Sequence, residues 1–91
     1  GDRPLPEIVA DAYRLFAING RYERFLADFP ARVKADDAKI MEVFCAFFSI
    51  LRDDPQLPFE LLPDDWLGDR AYRRCQHILG KRLKILLSHL T

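Results

Sequence analysis

The sequence predicts an all-α fold, a small three-helix bundle with a proline-rich, partly helical connector between its second and third main helices. Three observations predict it. Apolar residues recur at intervals of three and four across three long segments. Alternation of the kind a half-buried strand shows is found nowhere. Prolines and acidic residues mark the segment ends at the places where helices stop and start.

The first helix is expected from about Pro4 to Phe29. Pro4 and Pro6 suit a first turn, where a missing N–H is harmless. Its stripe runs Ile8, Val9, Ala12, Leu15, Phe16, Ile18, then Tyr22, Phe25, Leu26, Phe29. Asn19-Gly20 interrupts it. Since no strand pattern flanks that pair, it marks a weak point in one helix, or a bend between two stacked ones, and not a hairpin. Pro30 closes the segment.

Asp36 or Asp37 caps a second helix that runs to about Arg52. It carries Ile40, Met41, Val43, Phe44, Cys45, Phe47, Phe48, Ile50 and Leu51, apolar nearly all round, and should be the central helix. So apolar a helix in so small a body points to a partner surface, for which Phe47 and Phe48 are the candidates. The third helix is expected from Asp69 to about His89. Ala71, Tyr72, Cys75, Ile78, Leu79, Leu83, Leu86 and Leu90 lie on one face, and Gly80 is a weak point in the middle.

Between these two helices runs DPQLPFELLPDDWLGD, residues 54–69. Prolines 55, 58 and 63 stiffen it, because each fixes φ and removes a donor. Phe59 to Leu62 can make one helical turn after Pro58. Phe59, Leu62 and Trp66 are then expected to pack onto the central helix, with a carbonyl or carboxylate for the indole N–H. Pro55, Leu57, Pro58, Leu61, Leu62, Pro63, Trp66 and Gly68 thus form a structural connector, with Gly68 fitting a tight entry to the third helix.

Composition bounds function. Ninety-one residues with 49% apolar content make a single domain spanning residues 1–91, marginally stable alone and a candidate to dock on another domain or a second copy. A start at Gly1 and not Met suggests a piece of a longer protein. No apolar run is long enough for a membrane span and no leader is visible, so a cytoplasmic location is expected. Cys45 and Cys75 are expected as reduced core thiols. With His77 and His89 they offer no metal-site spacing, and neither metal nor cofactor is expected. Ser49 and Ser88 stand in no nucleophile motif, and the paired aspartates sit where caps and turns explain them, so no enzyme is expected.

Charge is uneven: eight Lys/Arg against thirteen Asp/Glu over residues 1–67, six against one over 68–91. Arg70, Arg73 and Arg74 on the third helix are candidates to hold an anionic effector by paired hydrogen bonds. A solvated face, or pairing with nearby Asp64 and Asp65, explains the same residues. Part of the aromatic set can line a pocket for an aryl-acyl group or serve as ordinary core. Direct DNA recognition is not expected, since the basic residues are not interleaved with aromatics.

The connector also carries a resemblance. Asp54-Pro55, Leu57-Pro58, Leu61-Leu62-Pro63, Trp66, Gly68 and Ala71 resemble the DP-x-LP-x-x-LLP-x-x-W-x-G-x-x-A segment of the C-terminal domain of PaaX-type transcriptional regulators. Ala12-Tyr13-Arg14-Leu15-Phe16 and Phe48-Ser49-Ile50-Leu51-Arg52 are similar to the flanking helices of that family, so the likeness spans about Leu5 to Leu83. Leu67 stands where the family usually has proline, and Phe47 and Phe48 where it often has arginine. The resemblance implies a regulatory, dimerising module of a bacterial repressor of phenylacetate catabolism. It implies partners in a homodimer and in the regulator's other domains. DNA is read by an N-terminal winged helix absent from this chain, and phenylacetyl-CoA is the family's aryl-CoA inducer. The rival reading is a structural cap that covers a neighbouring domain and binds no ligand.

Overall fold

The computed structural model describes residues 5–90. Four α-helices follow in order: α1 (Leu5–Asp28), α2 (Asp37–Asp53), α3 (Gly68–Leu79) and α4 (Arg82–Ser88), with a short 3-10 turn at Phe59–Leu61 inside the connector. No strand occurs among the described residues. The start expected at Pro4 lies outside them.

The helix α1 passes through Asn19-Gly20 without a break. Its C-terminal half packs on α2 and α3, which also pack on each other, and α4 folds back against α3. The core is one cluster. Ile18, Tyr22, Phe25 and Phe29 come from α1 and its end; Ile40, Val43, Phe44, Phe47 and Ile50 from α2; Ala71, Cys75, Leu79 and Leu83 from α3 and α4. Aromatic rings fill its middle. Phe25 meets Phe47 at 5.6 Å between centroids, and Tyr22 meets Phe47 at 6.1 Å.

Local chemistry sets the boundaries. Asp36 caps α2 by accepting the Lys39 N–H at 2.8 Å, a contact worth about 1 kcal/mol. Asp54 ends that helix in extended backbone before Pro55. The third helix expected as one piece is two. Gly80 takes φ 55°, a left-handed value that closes α3, and α4 starts afresh after Lys81.

Two further expectations are corrected. Phe59 is 87% exposed and does not reach α2, because the 3-10 turn holds it on the outside. Cys45 is exposed on α2 and only Cys75 lies in the core; both are free thiols, and burial pushes the Cys75 thiol up to about 11.

Candidate functional site

Two residues of α1 hold the connector. Asn19 sits on the face of α1 that meets it and uses both ends of its amide. Nδ2 donates to the Asp65 carbonyl at 3.1 Å, and Oδ1 accepts the Leu67 N–H at 2.7 Å. One turn on, Tyr22 is fully buried and donates its hydroxyl to Asp54 Oδ2 at 2.5 Å. Asp54 Oδ1 in turn accepts the Gln56 N–H at 2.8 Å. That two-residue turn around Pro55 leaves Gln56 at φ 52°, a backbone state that costs on the order of 1 kcal/mol and is held by the Asp54 bond. Burial, then the Asp54 carboxylate, pushes the Tyr22 hydroxyl well above the usual tyrosine range.

The connector residues divide accordingly. Trp66 and Leu67 pack against the core; Trp66 meets Tyr22 edge-on at 5.7 Å. Leu57 and Leu62 are half-buried, whereas Pro55, Pro58, Leu61 and Pro63 are exposed. The clamp therefore closes on α1 more than on α2. The indole N–H makes no hydrogen bond among the described residues, and it is not a buried orphan. Gly68 is needed for its lack of a side chain. A Cβ there would stand 2.5 Å from Trp66 Nε1 and 3.2 Å from Tyr22 Cε2.

Two clefts open on α3. Arg70, Arg73, Arg74 and His77 line the first with Ala31, so the three arginines singled out from sequence do come together, around about 330 Å³. Their engagements differ. Arg74 donates to the Leu26 and Phe29 carbonyls at 3.1 and 2.8 Å, capping the C-terminal end of α1 with positive charge. Arg73 pairs with Asp69 one turn back, its Nε at 3.0 Å. Arg70 makes no hydrogen bond or ion pair among the described residues. The second cleft, also about 330 Å³, is aromatic: Phe47, Phe48, Trp66 and Tyr72, with Asp54 and Asp69 at its edge. Asp69 borders this cleft and Arg73 the other, so one ion pair stands between them.

Phe47 is corrected from interface to core. At 1% exposure it lies against Tyr22, Phe25, Phe48 and Tyr72, because its place on α2 points to where α1 and α3 meet. Phe48 is half-buried and keeps a free edge. Sequence reasoning missed Asn19, Tyr22 and Asp54. The available signal was Asn19 itself, a poor helix former inside a helix whose amide tends to bond backbone elsewhere.

Among the described residues no cluster of His, Cys, Asp or Glu is placed to hold a metal ion. No helix there is long and apolar enough to cross a membrane. Fold and site together define a small all-helical domain with its connector pinned across a compact core. The particular family follows from its sequence model: residues 13–86 match the PaaX-like protein C-terminal domain, and the chain belongs to that family, a regulator family and not an enzyme class. No curated protein and no solved structure matches the chain.

The Leu67 N–H that Asn19 accepts fixes the entry to α3; a proline at this position would have no N–H to make that bond.

Proposed function

We propose that this chain is the regulatory module of a bacterial transcriptional repressor of the PaaX type, which assembles as a homodimer and responds to an aryl-CoA effector such as phenylacetyl-CoA. The family match over residues 13–86 carries the reading. The two clefts support its effector half. An aryl group suits the aromatic walls of Phe48, Trp66 and Tyr72, and CoA phosphates suit Arg70 and Arg73. Arg74 serves first as the cap of α1, so its effect on an effector is partly structural. DNA contact falls to a winged helix elsewhere in the regulator.

Calorimetry with phenylacetyl-CoA tests the effector. Arg70→Ala and Arg73→Ala should each weaken binding about tenfold or more, as loss of a charge-assisted contact implies. Equal affinity in both variants removes these residues from the site. A structural cap with no ligand of its own is the second reading, favoured by exposed Ile8, Phe59 and Leu61. Hydrogen exchange separates the two, since only the effector reading expects ligand to protect α3 and the connector.

A further inference from the structure

The early half of α1 extends beyond the core, and one of its exposed faces is apolar. Val9, Tyr13, Phe16 and Gly20 follow at intervals of four, three and four, the spacing of a two-helix seam. Val9 is 59% exposed, Tyr13 72% and Phe16 76%. Gly20 has nothing within 4 Å of where a Cβ would stand, so the chain's own packing does not call for a glycine. Yet a glycine inside a helix costs roughly 0.5–1 kcal/mol relative to alanine. Ala10 and Ala17, both exposed, flank the seam on one side. Small flanks and a glycine let a second helix approach closely.

We propose that this seam is where two copies of the chain meet, α1 against α1, antiparallel about a two-fold axis between Tyr13 and Phe16. The proposal rests on the dimer half of the reading above and gives that dimer its surface. Antiparallel pairing sets Tyr13 against Phe16 of the second copy, and Val9 against its Gly20. Ring meets ring at the centre, and a branched side chain fills the space over glycine at each end. Parallel pairing would set Gly20 on Gly20 and leave that space empty. Charge favours the same direction. Arg24, past Gly20, comes alongside the first turn of the second copy, which holds Glu7; parallel pairing would set the two first turns level with each other and far from Arg24.

The area fixes the strength. A buried aromatic side chain contributes about 150–250 Å². At the stated exposures the seam offers roughly 400 Å² per copy, about half the ~800 Å² per partner of a standard interface. The dimer is therefore concentration-dependent and not obligate.

Cysteine pairing tests the register in a Cys45→Ser background, Cys75 being buried. Antiparallel packing brings position 10 of one copy beside position 17 of the other. Position 10 then lies about 13.5 Å along the axis from its own counterpart and position 17 about 7.5 Å, both beyond the ~7 Å that a disulfide spans. Mixing Ala10→Cys chains with Ala17→Cys chains should give a disulfide-linked dimer on mild oxidation, and either alone should not. Phe16→Glu, at an exposed position, should keep helical circular dichroism and lower association in light scattering at least tenfold. Bridging by either cysteine variant alone overturns the antiparallel register. A wild-type dimer with no bridging, or one indifferent to Phe16→Glu, overturns the seam but leaves dimerisation standing. A wild-type monomer at high concentration removes both.

Discussion

From Ile18 onward α1 places Ile18, Tyr22 and Phe25 in the core, whereas its earlier half holds Ile8, Val9, Tyr13 and Phe16 in solvent. Both halves have the same helical period and similar side chains. What differs is length. At 1.5 Å per residue, α1 with 24 residues reaches about 36 Å, while α2 with 17 and α3 with 12 reach about 26 and 18 Å. The shorter helices cover one end of the longer one. Periodicity shows which side chains share a face; it does not show whether anything lies against that face.

The sharpest break of this comparison is a pair of matched truncations. Phe25→Ala removes a ring that touches Phe29 and Phe47. It should cost about 3–5 kcal/mol, as core phenylalanines do. Phe16→Ala should stay within about 0.5 kcal/mol in dilute chain, where no partner is present. Urea denaturation measures both. Equal losses would mean that the early half of α1 is covered in the monomer.

The connector sharpens it next, because Asn19 and Tyr22 of the later half of α1 hold it by hydrogen bonds. Gly68→Ala forces a Cβ into Trp66 and should cost about 1–3 kcal/mol, the usual range for overpacking. Leu67→Pro removes the donor that Asn19 accepts, and Asn19→Ala removes both of that residue's bonds; about 1–3 kcal/mol is expected for each. The two losses should not add, since they break a shared bond, and a double-mutant cycle checks this. Gly20→Ala should do the reverse, raising monomer stability by about 0.5–1 kcal/mol. At the proposed seam it should also weaken association by crowding Val9 of the second copy.

Much of the architecture was legible in the sequence because it depends on local rules. The all-helical class, a cap at Asp36 or Asp37 and the turn after Pro58 follow from period, capping and proline chemistry. The three arginines that line one cleft share a helix face, which spacing alone reveals. What stayed hidden depends on distant partners. Phe47 and Phe48 are neighbours of equal hydrophobicity, and only the position of α1 and α3 buries the first completely. Asn19 read as an interruption because its two bonds reach residues 65 and 67. Gly80 lowered the expectation for one helix without showing that φ 55° would split it.

A smaller effect lies in alkaline solution. Tyr22 and Cys75 both have folded pKa values above their ordinary ones, Tyr22 by burial and by Asp54, Cys75 by burial up to about 11. Their stabilising contribution is whole below the unfolded values and is lost as pH rises through the folded ones. Stability should therefore decline from about pH 9 upward, with the thiol contributing first, and Tyr22→Phe should flatten the limb above about pH 10. In the native chain a thiol reagent should label Cys45 and spare Cys75 until urea exposes it.

The weakest test concerns the same later half of α1 at its solvent edge. Arg21 donates to Asp53 at 2.8 Å and to the Ser49 carbonyl at 3.1 Å, joining α1 to the end of α2. The Arg21 hydrogen bond holds the Asp53 carboxyl below its ordinary 3.8. A depressed carboxylate contributes above its unfolded value and loses that contribution as pH falls through the folded one. The window therefore lies below about pH 4, and exposure makes the effect small and salt-screened. Asp53→Asn should shallow the acid limb slightly at low ionic strength and leave it unchanged in high salt. An acid limb identical in the variant at every salt concentration would mean that Arg21 joins the helices through the Ser49 carbonyl alone, and that the covered half of α1 owes its place to its buried rings.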